Sequence, residues 1–175
     1  MSDWTTPKTW AIGELVRASD LNAQLRDNLS ALKNPPSAHY TLDETADYQT
    51  TSTVFVDVDS ARLSFTLSTN GGDVLVHFEG TVTSGGNGIG LAFDVAVDGA
   101  RLGGADGLVT LWTGNGGREV AAFTRLVHGL SAGEHTFVLQ WRAYNAYSPY
   151  IPVLYAGAGT TNFDVEPQFW VREVS

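Results

Sequence analysis

The sequence predicts a mainly β protein, an antiparallel jelly-roll sandwich preceded by one short N-terminal α-helix, and three observations carry that expectation. Beyond Tyr48 the apolar residues come in short runs, several alternating with period two, the spacing that puts every second side chain on one face of a strand. Glycine, asparagine and aspartate separate those runs, and with 19 glycines and no cysteine the chain is shaped by turns rather than by disulfides. Helical spacing occurs once, ahead of Asn34-Pro35-Pro36-Ser37, where the composition changes sharply. A chain of 175 residues, 43% of them hydrophobic, has enough material for one core and a small appendage. The expected organisation is an arm and helix at 1–34, a linker at 35–47 and a β head at 48–175.

The arm runs from Trp4 through Trp10 and Ile12 to Val16 and has neither helical nor strand period. Such a segment rarely makes its own core. It either lies across a groove of its own oligomer or inserts into a partner, with Trp4 and Trp10 as anchors. The helix is expected over about 14 residues, near the length at which an isolated helix is marginal. Ser19 is read as its N-cap, Asp20 opposes the helix dipole in the first turn, and Lys33 does so in the last. Asn34 and two prolines end it. Leu21, Leu25, Leu29 and Leu32 form one stripe that must be buried: against the β head, against copies of itself, or on another protein. Heptad spacing of Leu25 with Leu32, and of Leu21 with Asn28, favours a short parallel bundle in which Asn28 selects register.

Strands are expected at 53–58, 63–68, 74–82, 90–97, 108–113, 119–127, 135–142, 153–156, 161–165 and 168–174. Val74, Val76, Phe78 and Val82 share a face, as do Leu91, Phe93, Val95 and Val97. Asn70-Gly71-Gly72-Asp73 and Asp98-Gly99 carry hairpin-turn composition. Leu67, Ala121, Phe123, Val138, Trp170 and Val174 make some strands apolar on both faces, which hints that one sheet faces a neighbouring subunit.

Nineteen acidic against ten basic residues, a net charge of −9, argue against a phosphate-neutralising surface and so against nucleic-acid binding. No run reaches the roughly 20 apolar residues that cross a bilayer, and the start lacks a signal-peptide pattern, so neither membrane insertion nor signal-directed secretion is expected. The four histidines, at 39, 77, 128 and 135, show no metal-hydrolase spacing and no nucleophile elbow. Asp57 with Asp59, and Asp94 with Asp98, are carboxylate pairs that read as solvated surface or, as the alternative, a calcium site. Gly85 to Gly90 has no following helix to receive a phosphate. The expectation is therefore a protein that is not an enzyme, with no cofactor, metal or catalytic residue.

The most suggestive constellation is Tyr144-Asn-Ala-Tyr147-Ser-Pro-Tyr150-Ile-Pro-Val-Leu-Tyr155. Tyrosine supplies contact area at low entropy cost and a hydroxyl for hydrogen bonding, so this stretch is a candidate ligand-binding loop for sugar or protein. The competing reading is that these rings cover a subunit interface. Trp112 and Arg118 are a second candidate, through stacking and bidentate contacts.

The stretch Trp10-Ala-Ile-Gly-Glu-Leu-Val-Arg-Ala-Ser-Asp-Leu-Asn-Ala-Gln-Leu-Arg-Asp-Asn-Leu-Ser-Ala-Leu-Lys33 resembles an N-terminal element of bacteriophage and prophage tail-fibre or receptor-binding proteins. The β region, with Gly133 to Trp141 and Pro167 to Val174, looks like the small jelly rolls that end such fibres, similar in outline to the trimeric heads of complement and tumour-necrosis-factor proteins. The resemblance implies a homotrimeric virion protein, made in the host cytoplasm, with Trp4, Trp10 and Ile12 as candidate virion-attachment residues. It further implies other virion proteins as partners of the arm and a host-surface glycan or protein as partner of the head. A capsid or tail decoration protein without host recognition is the alternative.

Overall fold

The computed structural model describes residues 5–40, 47–84, 86, 88–112, 117–147, 150–156 and 166–174. Its helical part is continuous from Ala18 to Lys33, as α1 (Ala18–Leu21), a π-helical stretch (Asn22–Asp27) and α2 (Asn28–Lys33). The helix begins two residues earlier than a Ser19 cap implies. Arg17, extended at φ −92° and ψ 148°, is the flanking residue, and Ser19 lies inside the first turn instead of capping it. Asp20 and Lys33 stand in the first and last turns. Asn34 leaves helical geometry at φ −128° and ψ 67°, and Pro35 and Pro36 cannot rejoin it.

Ten strands follow among the described residues: β1 (Ser37–His39), β2 (Tyr48–Gln49), β3 (Val56–Asp57), β4 (Ser64–Thr83), β5 (Gly90–Val97), β6 (Ala100–Arg101), β7 (Val109–Leu111), β8 (Arg118–Tyr144), β9 (Val153–Leu154) and β10 (Gln168–Glu173). All pairings are antiparallel, and the main path runs β1-β10-β4-β8-β5-β6. Ser37–His39, in the stretch expected to be linker, is thus an edge strand on β10. The strand expected at 161–165 lies outside the described residues.

The fold is organised by β4 and β8, which pair from Ser64↔Val138 to Thr83↔Arg118. Asn70-Gly71-Gly72-Asp73 is therefore no hairpin turn, and the runs on either side of it belong to one strand; 119–127 and 135–142 likewise merge into β8. What happens at the glycines is a roll of the strand about its axis. Buried positions are odd before them (Leu63, Leu67, Thr69) and even after them (Val74, Val76, Phe78, Val82), which in a period-two element means the opposite face turns inward. Gly71 at φ 93° and Gly72 at φ 137° adopt backbone conformations that L side chains resist. A bulge on β8 matches this: pairing slips between Gly72 and Val74, and the Asp73 carboxylate accepts from the Gly129 N–H at 2.9 Å and from His128 at 3.0 Å.

Glu173 locks the corner from a distance. Its carboxylate, 3% exposed, accepts the Asn70 N–H at 2.9 and 3.1 Å and the Asn70 side-chain amide at 3.1 Å. A buried hydrogen bond typically contributes about 1 kcal/mol and costs more when its partner is removed, so this clamp matters to the bend.

Because of the roll, the sheet closes over itself around one core. Phe78, after the corner, packs on Phe93 of β5 at 4.8 Å between ring centres; Phe65, before it, stacks on Phe169 of β10 at 4.8 Å. The two-residue turn Asp98-Gly99 joins β5 to β6 as its composition suggests, with φ of 50° and 82°.

All eight residues of β5 are buried within this one chain. Its second face, with Asp94, is covered by the loop between β6 and β7: Asp94 accepts from Arg101 at 3.0 Å, Gly103 N–H at 2.9 Å and Val95 N–H at 2.8 Å. Two-sided burial here needs no neighbouring subunit. Of the residues that suggested one, Leu67 and Ala121 are buried in the chain, and Val174 is 47% exposed.

Candidate functional site

Trp112 and Tyr144 meet across a glycine. In the sheet Leu91 pairs with Leu111 and Gly90 with Tyr144, so Gly90 separates the end of β8 from the residue that follows β7. A side chain at Gly90 would stand 3.0 Å from the Trp112 indole. Its absence lets the two rings stack at 5.3 Å between centres, 29° apart, with 53% of Trp112 still exposed.

Two residues from elsewhere complete the group. The Tyr144 hydroxyl donates to Asp106 Oδ1 at 2.6 Å, Arg142 Nη2 donates to the same oxygen at 2.9 Å, and Arg142 also donates to the Tyr144 hydroxyl. The Arg142 guanidinium lies over the Tyr144 ring at 4.2 Å and the Phe55 ring at 5.2 Å. Asp106 reaches this place because its loop is pinned by Asp94 and because Gly107, at φ 74°, passes where a Cβ would sit 2.5 Å from the Phe93 carbonyl oxygen. The Asp106 side chain is 75% exposed and that of Arg142 19%.

The other tyrosines divide. Tyr147 and Tyr150 form an edge-on pair at 5.3 Å, held by the Tyr150 N–H to Tyr147 carbonyl bond of 2.7 Å, and Tyr150 lies over Gly86. Between the two aromatic pairs, Asn145 at φ 56° donates to the Gly88 carbonyl at 3.3 Å. Tyr155 stands apart with Arg118, whose guanidinium is 4.8 Å from its ring centre. Trp112, Tyr144, Tyr147 and Tyr150 thus share one margin of the β region, along the segment from Gly86 to Gly90, and Tyr155 with Arg118 does not join them. Asp106 and Arg142 are the members that sequence reasoning missed. The readable signal was the alternation Gly86, Gly88, Gly90, which removes side chains from beneath two rings.

At the other end, the arm is clasped to the helix by side-chain amides. Asn28, 5% exposed, accepts from the Thr5 N–H at 2.8 Å and donates to the Thr5 carbonyl at 2.9 Å. Gln24 repeats the pattern with the Lys8 N–H at 2.7 Å and the Thr6 carbonyl at 3.2 Å. Lys8 pairs with Glu14 and, at 3.3 Å, with Asp20; the pairing raises the Lys8 pKa and lowers that of Glu14. Asn28 is therefore spent inside the chain and is not free to set register between helices. The π-helical stretch, with i→i+5 bonding, also departs from the 3.5-residue winding of a coiled-coil seam.

Leu21, Leu25, Leu29 and Leu32 stay 44%, 57%, 64% and 65% exposed. Trp10, Ile12 and Leu15 are exposed as well, and Trp4 lies outside the described residues. A cleft of about 500 Å³ continues the leucine face, lined by Leu32, Pro35, Leu75, Trp170 and Val174 among others.

One further group has the residue types of a nucleophilic triad. His135 Nδ1–H donates to Asp98 at 2.7 Å, and Ser131 Oγ lies 3.4 Å from Nε2. But Nε2–H donates to the Ser131 carbonyl oxygen at 2.9 Å. A carbonyl only accepts, so a ring that makes this bond keeps its proton on Nε2 and has no lone pair there for the Ser131 hydroxyl. Asp98, above all, and the Ser131 carbonyl raise the His135 pKa against partial burial; His135 and the Thr136 N–H lower that of Asp98. The carboxylate pairs also separate: Asp57 accepts from Gln140 at 2.8 Å, and Asp59 from the Ala61 N–H at 2.8 Å. Among the described residues no cluster of three or more His, Asp or Glu is placed to hold a metal.

No protein-family model matches the chain, and no curated protein matches it in sequence.

Proposed function

We propose that this protein is a non-enzymatic structural component of a bacteriophage particle, a tail-fibre or tail-tip attachment protein that works as a homotrimer. Arm and helix join it to its copies and to the virion, and a jelly-roll head carries the aromatic margin outward. The observation that carries this reading is the leucine face. The helix uses its polar side to hold its own arm and leaves four leucines bare, so that face is built for something outside the chain. Three heads on one stem would turn individually weak contacts into firm adhesion.

Light scattering tests the assembly: a mass near three times 18.8 kDa is expected, and a monomer at micromolar concentration overturns the trimer. Adsorption tests the role. Particles carrying Trp112→Ala and Tyr150→Ala are expected to stay intact and to bind host cells poorly.

The exposed arm residues Trp10, Ile12 and Leu15 favour a second reading, a decoration or cement protein that lies along a capsid or tail. In that case the same substitutions leave adsorption unchanged, and removing the arm makes the particles fragile.

A further inference from the structure

Resting on the attachment reading and sharpening it, we infer that the Trp112–Tyr144 platform binds a neutral pyranose ring, with Asp106 accepting hydrogen bonds from the sugar's hydroxyls. A pyranose has one face of C–H groups and a rim of hydroxyls. The platform offers the complement of both.

Its apolar part is ordered before any ligand arrives. The indole lies over Gly90 and against Tyr144, whose hydroxyl is tied to Asp106, so little side-chain freedom remains to be lost on binding. Its polar part is an acceptor. Asp106 Oδ1 takes both Arg142 and Tyr144, while Oδ2 makes no hydrogen bond among the described residues on a side chain that is 75% exposed. An ionised carboxylate oxygen can only accept, and sugar hydroxyls donate.

Charge selects the neutral class. Arg142 is the cation at the platform, and it is already committed to Asp106, to the Tyr144 hydroxyl and to two aromatic rings. An anionic sugar would meet an exposed carboxylate and a paired guanidinium on a chain of net charge −9. The pairing of a flat ring stack with an exposed carboxylate favours a sugar over a protein partner.

The test titrates the full chain, by calorimetry and by ligand-observed NMR, with maltohexaose, cellohexaose and N-acetylchitohexaose, and in parallel with sialyllactose and polygalacturonate. Saturable binding to at least one neutral probe is expected, with none to the anionic ones. Trp112→Ala is expected to weaken it by about tenfold or more, and Trp112→Phe by less. Asp106→Asn keeps the shape and one acceptor oxygen, and is expected to weaken it by about threefold to tenfold. An unchanged thermal melt in each variant shows that folding is intact. Absence of binding to every neutral probe, preference for an anionic one, or unchanged affinity in Trp112→Ala overturns the inference. Loss of host adsorption in Trp112→Ala particles without sugar binding would overturn the sugar but keep attachment, pointing to a protein receptor. Sugar binding with adsorption intact in Trp112→Ala particles would do the reverse.

Discussion

Replacing Asp94 by alanine probes how the core of the sheet holds the candidate site in place. The Asp94 side chain is fully buried and accepts three hydrogen bonds, from Arg101 at 3.0 Å and from the Gly103 and Val95 N–H groups at 2.9 and 2.8 Å. Its loss leaves the buried Val95 N–H and the half-buried Gly103 N–H without this acceptor and a guanidinium without its counter-charge. Breaking a buried ion pair by removing one partner costs about 3–5 kcal/mol. The Arg101 side chain is 34% exposed and retains the Gly104 carbonyl at 3.2 Å, so water recovers part of that loss. The expected cost is about 2–4 kcal/mol after that discount. Urea unfolding of wild type, Asp94→Ala, Arg101→Ala and the double variant, at one chain concentration, measures it. The cycle should return a coupling between the two residues above about 0.5 kcal/mol. Because the same carboxylate pins the loop carrying Asp106, near-ultraviolet circular dichroism from Trp112 and Tyr144 should also weaken. A cost below about 1 kcal/mol, within the ordinary range for substitutions away from a buried network, would refute the claim that this carboxylate anchors the loop.

Three further outcomes follow from the structure. The His135 pKa is raised and that of Asp98 lowered, so His135 contributes stability below its unfolded pKa and loses it as pH rises through the higher folded value, whereas Asp98 contributes above its unfolded pKa and loses it as pH falls through the lower one. The pair is thus fully effective between about pH 4 and 6.5; the melting-temperature gap between wild type and His135→Gln should be wider at about pH 5.5 than at about pH 8.5, and an equal or wider gap at the higher pH would contradict the pairing. Asn28→Ala frees the Thr5 backbone and should speed proteolysis at 5–16 while leaving the melt of the β region within about 1 kcal/mol of wild type; equal cleavage rates would mean the amide does not hold the arm. Gly90→Val drives a side chain into the Trp112 indole, already 3.0 Å from where a Cβ would lie, and should shift Trp112 emission at a stability cost of about 1–3 kcal/mol; an unchanged spectrum would show that Gly90 does not set the ring's position.

Local chemistry made parts of this molecule readable in advance. Lys33 and Asn34-Pro35-Pro36 end the helix whatever surrounds it, though its start at Ala18 was not legible from Ser19 and Asp20, and Asp98-Gly99 turns because two consecutive positive φ angles suit those residues. Gly71-Gly72 misled for the same reason. A glycine pair fits a hairpin and a rolling strand equally well, and the choice is made by the long partner β8 and by Glu173, 103 residues away from Asn70. Asn28 matched a heptad seam by spacing alone; what claims it is Thr5, a contact that no helical periodicity encodes. At the candidate site the rings of Trp112 and Tyr144 stood out in the sequence, but their polar partner did not, since Asp106 is brought to Tyr144 across 38 residues by the pairing of β5 with β7 and β8.

On the proposed function, arm and helix face the particle while the aromatic margin faces outward. An electron cryomicroscopy reconstruction of the proposed phage particle is the test. Three copies about one axis are expected, with Leu21 to Leu32 buried among them or against the virion and Trp112 at the free surface. A particle without the chain, or one in which Trp112 is covered by a neighbouring virion protein, would contradict it.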